Sequence, residues 1–280
     1  PQAAKDEIRA ALLAAQAAEI AGIDADVRLM EVVKRVNEAE FLKKAKPWEP
    51  FPDELRNEYL LRMREARTAR AAKYASMQLV LDLTVRHYEL TPPRPVFPHD
   101  PFHQPPYQSL PAWTVSYSEA EKCDKPVGRT PCRRRTEAEL LVERKEIIVN
   151  GNKKFIDPEG ARTWNNGHIS VFTTGVIPFS GQLGGTSLTP NELATLPDEI
   201  AALIHHETVH WTLAMKRGGQ PNDTLVEHYL NEKEAYARQA EFLRRLGHDD
   251  SWARAASDKY DMQAKRAKVE NIDSEEKARA

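Results

Sequence analysis

Leu203 to Thr212, "LIHHETVHWT", sets three of the chain's nine histidines within six positions and a glutamate among them. Either this is a metal site on a helix or it is a polar stretch on an ordinary solvent-facing turn, and the fold of the C-terminal half turns on which. His206-Glu207-Thr208-Val209-His210 spells HExxH. On a helix, residues four apart share one face, about 40° apart around the axis and one turn on. Both imidazoles then reach a single ion at the ~2.0–2.1 Å that Zn–N bonds require. Glu207 lies beside the first histidine and turns to the same side, the placement of a general base. His205 is turned away from this pair and reads as a surface or packing histidine. Ile200, Leu203, Ile204, Trp211 and Met215 surround the set at helical spacing, so the motif borders a buried face rather than lying on a solvated one.

A zinc hydrolase keeps three protein ligands and one open position. The downstream segment "TLVEHYLNEKEAYARQAEFLRRLG" reads as a helix from about Asp223 to Leu246, stopped at Gly247. Leu225, Tyr229, Tyr236, Ala240 and Leu243 make its apolar face, and Glu232 lies within about 60° of the centre of that face, with Glu234 nearly opposite. A carboxylate on an apolar face is tolerated only when paired or metal-bound. Glu232 is therefore the expected third ligand of a Zn2+ ion, with His206 and His210. Tyr229, Tyr236 and His228 are candidates for a second donor to a developing oxyanion, although tyrosines at such positions also serve simply as core. Asp223, Glu227 and Asn231 are near enough in sequence to support the imidazoles; the residues alone do not rank them.

HExxH followed by a helix carrying Glu-x-x-Ala, here Glu232 to Ala235, resembles the gluzincin branch of zinc metallopeptidases. The resemblance implies zinc on His206, His210 and Glu232, Glu207 as base, and a zincin-like domain with a small β-sheet, an active-site helix and a ligand helix. Those families often place Asp or Asn directly after the Ala to orient the first histidine; Tyr236 stands there, so that support has to come from elsewhere. "HETVHWT" and "EAYAR" are also similar to the zincin domain of ArdC-type antirestriction proteins. The similarity spans roughly residues 165 to 246. It implies a strand beside the motif helix as cleft rim, for which "HISVFTTGVI", from His168, is the candidate.

Outward from this region, the expected class is α+β. Residues 1–90 read as a helical region. Apolar residues recur at threes and fours from Ile8 to Val36, with Gly22 and Asp24 expected to split the first helix, and a second runs from about Glu54 to Tyr88. Residues 91–111 hold eight of the nineteen prolines and read as a linker or an extended surface segment; His99 and His103 within it share no helical face. Residues 112–250 are the zincin-like domain. "KEIIVNGNKKFID" is a hairpin turning at Asn150-Gly151, "HISVFTTGVIPF" a further strand, and the motif helix is expected to start at Thr195 and stop at Gly218-Gly219. Residues 251–280 read as a charged helical tail. Cys123 and Cys132 read as two free thiols, or as a disulfide in an oxidising compartment.

Forty basic against forty-two acidic residues, net −2, argues against a dedicated nucleic-acid binder. No run is long and apolar enough to span a membrane, and the first residues lack a secretory pattern. The chain opens on Pro1 rather than Met, as a segment of a longer polypeptide would. A zinc endopeptidase acting on protein or peptide is the leading expectation. The organisation suits a bacterial effector or toxin delivered into a target cell, with an inhibitor or immunity partner. The competing expectations are an antirestriction-like, DNA-associated protein and a non-catalytic helical interaction protein; localisation is left open.

Overall fold

The two N-terminal helices, α1 (Gln2–Ala45) and α2 (Asp53–His87), form an antiparallel hairpin. Its rungs give the direction: Arg35 meets Glu58, Asp26 meets Arg70, Glu19 meets Lys73 and Glu7 meets His87. Ile8, Leu12, Ala15, Glu19 and Gly22 are buried at alternating spacings of four and three, the seam of a coiled coil. The computed structural model describes residues 2–45, 51–92, 113–118, 145–149, 152–156, 161–163, 168–172, 176–177, 179–180, 188–217 and 224–270. The proline-rich stretch beyond residue 92, both cysteines, Gly218-Gly219, Asp223 and the last ten residues lie outside them, as do His99, His103 and the hairpin turn at 150–151.

Gly22 and Asp24 do not divide α1, which is one helix of 44 residues. A single Gly costs a helix about 1 kcal/mol, and continuous packing on α2 outweighs that. Gly22 faces the stem of Lys73, whose Cδ stands 3.9 Å from where a Cβ would be, and Lys73 Nζ pairs with buried Glu19 at 2.8 Å.

Strands β1 (Thr114–Tyr117), β4 (Ala161–Thr163) and β5 (His168–Val171) form one sheet in the order β1-β5-β4, parallel between β1 and β5 and antiparallel between β4 and β5. Strands β2 (Lys145–Val149) and β3 (Asn152–Ile156) pair as the Asn-Gly turn predicts, and β6 (Phe179–Ser180) adds to β3. The run from His168 to Phe179 is thus not one strand. It is β-branched along much of its length, but its two ends pair in different sheets, with Val176 and Ile177 buried between them. The α+β class holds at this coarse level.

The motif helix, α3 (Pro190–Lys216), is capped six residues before the expected Thr195. Thr189 is its N-cap, with Pro190 in the first turn and a reciprocal capping box to Glu192. Pro197 lies inside the helix, where it has no N–H for the Leu193 carbonyl. Arg9 of α1 supplies the missing donor: its Nε donates to Leu193 O at 3.0 Å and its Nη2 to Ala194 O at 3.1 Å. Helix α4 (Leu225–Arg245) is capped by Thr224 with Glu227, two residues later than expected. It ends at Gly247, whose φ of 81° suits a residue without Cβ, while His248 N returns to Leu243 O. Helix α5 (Ser251–Val269) packs along α4, burying Ala253, Ser257, Ala264 and Ala267.

One hydrophobic core joins Ile8 and Leu12 of α1, Met77 and Leu81 of α2, Ile169 and Val171 of β5, Ile200 and Ile204 of α3, and Leu243 of α4. The hairpin and the motif helix are therefore built on the same interior. Among the described residues, no helix is long and apolar enough to cross a membrane.

Candidate metal centre

His206 and His210 lie one turn apart near the middle of α3, and Glu232 lies in the second turn of α4, which packs against it. Their ligand atoms converge. His206 Nε2 and His210 Nε2 are 3.1 Å apart, and the Glu232 oxygens stand 3.6 Å from the first and 3.4 Å from the second. Two ligand atoms bound to one tetrahedral zinc at ~2.0–2.1 Å stand roughly 3.4 Å apart. The three side chains thus form a group that could hold a metal ion, with one ligand atom of each within 4.8 Å of the others.

The electrostatics of the group favour positive charge at its centre. Burial alone would raise the Glu232 carboxyl, but hydrogen bonds and charge from His206 and His210 hold it far below its usual value. Burial pulls the His210 imidazolium down, and the hydrogen bond and charge of Glu232, aided by Glu207, outweigh this and raise it. A proton bridges at most one pair of these atoms; a divalent cation satisfies all three.

Glu207 is buried beside His206, and the hydroxyl of Thr163 in β4 reaches it. Thr163 Oγ1 is 2.7 Å from the Glu207 carboxylate and 2.9 Å from its carbonyl oxygen. The strand that reaches Glu207 is therefore β4, at the end of its sheet among the described residues; β5, between β1 and β4, packs against α3 as well. Neither β4 nor Thr163 has a sequence signal: three residues of ordinary propensity make no pattern.

The candidate donors are placed differently. Tyr236 packs edge-on against the His206 ring, with centroids 4.5 Å apart. Burial, then the charges of Tyr260, Glu232 and Glu207, push its hydroxyl up to about 12, so it keeps its proton at neutral pH. Tyr229 is buried between α4 and α5 in a small cluster with Ala264, Ala267 and Tyr260. His228 lies one turn before Glu232, its ring 5.7 Å from that of Tyr229. Glu234 points outward and pairs with Arg238. His205 stacks on Phe242 at 4.7 Å, and burial, with Arg245 nearby, pushes its imidazole down to about 4.

Support for the first imidazole comes from Gln239, whose Oε1 is 3.1 Å from His206 Nδ1. It was not among the expected supports. Glu227 serves the α4 cap, and Asn231 accepts from Arg217 at 3.5 Å. A polar residue seven positions after the candidate ligand Glu232, on the same helical face, was the available signal.

No family model, curated protein or solved structure matches this chain. The arrangement of side chains is what carries the functional reading.

Proposed function

We propose that the chain is a zinc-dependent endopeptidase that hydrolyses peptide bonds with Glu207 as general base. The observation that carries this is the convergence of His206, His210 and Glu232 from two packed helices, with Glu207 buried next to them. Two imidazoles and a carboxylate in tetrahedral spacing suit zinc. When bound, zinc supplies Lewis-acid polarisation of a carbonyl and brings the pKa of a water toward about 7.

The chain's own residues do the rest. Glu207 takes the proton from the attacking water and returns it to the leaving amine. Thr163 holds the Glu207 carboxylate by a charge-assisted bond. The ring contact of Tyr236 with His206, and a hydroxyl that keeps its proton, support Tyr236 as the donor to negative charge on the former carbonyl oxygen. Among the described residues, strand β4 carries Thr163 at the edge of its sheet, which suits alignment of an extended peptide by main-chain hydrogen bonds.

Metal analysis of chain dialysed without chelator tests the site first, with about one zinc per molecule expected. Glu207→Gln should keep the metal and lose roughly 10²–10⁴-fold in peptide hydrolysis. Glu232→Ala should weaken metal binding by more than the ~10–100-fold typical of outer-shell changes. Normal binding by Glu232→Ala, with loss in Glu234→Ala or His228→Ala, would show the ligand set to be wrong.

A further inference from the structure

We infer that Gln239 is a positioning residue that selects the metal-binding tautomer of His206. The inference rests on the metal-centre reading above and names the residue that makes the first ligand competent. Three side chains on one stripe of α4, at positions 232, 236 and 239, hold the His206 ring. The Glu232 carboxylate faces Nε2 at 3.6 Å, the Tyr236 ring lies edge-on at 4.5 Å between centroids, and Gln239 Oε1 meets Nδ1 at 3.1 Å. Positions 232 and 239 are two turns apart, so one helix grips opposite nitrogens of the same ring.

A neutral imidazole carries one N–H. With Gln239 presenting its oxygen, that proton is held on Nδ1 once an ion displaces the one His206 Nε2 shares with Glu232, and the Nε2 lone pair is left for the ion between His210 and Glu232. With the amide turned over, its NH2 donates to Nδ1, the proton moves to Nε2, and the ligand atom is blocked. Both side chains are buried, at 6% and 5% exposure, so no bulk water substitutes for either bond. A carboxylate in this place would only accept. Gln239, being uncharged, fixes the tautomer without adding negative charge, so a bound cation keeps more of its Lewis acidity than it would opposite an Asp or Glu.

The test uses the full chain, stripped and reloaded with zinc, with affinity measured by competition against a chromophoric chelator. Stability of the stripped protein is followed in parallel by denaturant unfolding. Gln239→Met, which removes the acceptor at similar volume, should weaken zinc binding about 10–100-fold. Gln239→Glu, an obligate acceptor, should bind at least as tightly as the wild type. Gln239→Asn, with the acceptor withdrawn by one methylene, should lose affinity as Gln239→Met does and stands in for it if that variant does not fold. Unchanged zinc affinity in Gln239→Met, with a loss only in stripped-protein stability, would reduce the bond to core packing and overturn the inference. Weakened binding by Gln239→Glu would overturn it too. A wild-type chain that binds no zinc removes the metal centre itself, an outcome distinct from both.

Discussion

Glu207 is a buried carboxylate whose neighbour on β4 has one hydroxyl proton to give. Thr163 Oγ1 lies within reach of both the carboxylate and the main-chain oxygen of Glu207, and the shorter, charge-assisted contact to the carboxylate takes that proton. Thr163→Val keeps the shape and loses the bond. On the proposed reading of Glu207 as base, it should lower kcat for peptide hydrolysis roughly 10-fold with KM little changed, since a general base contributes ~10²–10⁴-fold in all; Thr163→Ser should restore most of it. A valine variant with full kcat would remove Thr163 from the machinery. A second buried carboxylate works for the fold. Asp198 of α3, 1% exposed, accepts from Lys5 of α1 at 2.6 Å, from the Tyr88 hydroxyl after α2, and from His248 after α4 at 2.6 Å. Burial alone would raise its carboxyl, but these hydrogen bonds and the Lys5 charge hold it below the usual value. A carboxyl depressed in the folded state stabilises fully above its unfolded pKa, about 3.9, and loses that contribution as pH falls through the folded value. The stability gap between wild type and Asp198→Asn should therefore be widest near neutrality and close below about pH 4. Urea midpoints at stepped pH check this, and a gap constant down to pH 3 would contradict it.

Helix α3 tolerates an internal proline because another helix completes it. Arg9 donates to the carbonyl that Pro197 leaves without its helical partner, so the two residues are energetically coupled. Arg9→Ala should cost about 1–2 kcal/mol, as expected for a charged donor to a carbonyl. In a Pro197→Ala background, where residue 197 regains its N–H, the same change should cost measurably less, and strict additivity across the double-mutant cycle would deny the coupling. In α1, Gly22→Ala meets only Lys73 Cδ at 3.9 Å, an ordinary contact. It should stabilise the protein by about 0.5–1 kcal/mol through helix propensity and reduced unfolded-state freedom, read as a rise in melting temperature. A fall would mean that Lys73 cannot shift without losing Glu19.

Because α1, α2, β5, α3 and α4 share one core, the hairpin is part of what holds the motif helix in place. The candidate ligands come from α3 and α4, so an ion held there would clamp two elements and stabilise by RT ln(1 + [L]/Kd), about 4 kcal/mol at a thousandfold excess over Kd. Chelation should lower the melting temperature of the loaded protein, and added zinc should restore it. No shift would mean that the metal is absent or makes no cross-link. The same clamp should fail in Glu232→Ala, whose melting temperature should respond little to zinc.

HExxH and the placement of Glu232 on an apolar helical face were legible from residue order, because both depend on 3.6-residue periodicity within single helices. So were the long N-terminal helices and the β2–β3 hairpin, through propensity and turn chemistry. Contacts between elements were not. Thr163 on Glu207, Gln239 on His206, Arg9 beneath Pro197 and the meeting of three elements at Asp198 join residues 33 to 193 positions apart. The motif-helix start was also written locally, in the Thr189 to Glu192 capping box, but Arg9 is what makes an interior Pro197 tolerable, and separate sheet partners divide a 168–179 run that is β-branched along much of its length. Local periodicity is written in the order of residues; which distant donor meets which acceptor is decided only when the chain closes on a common core.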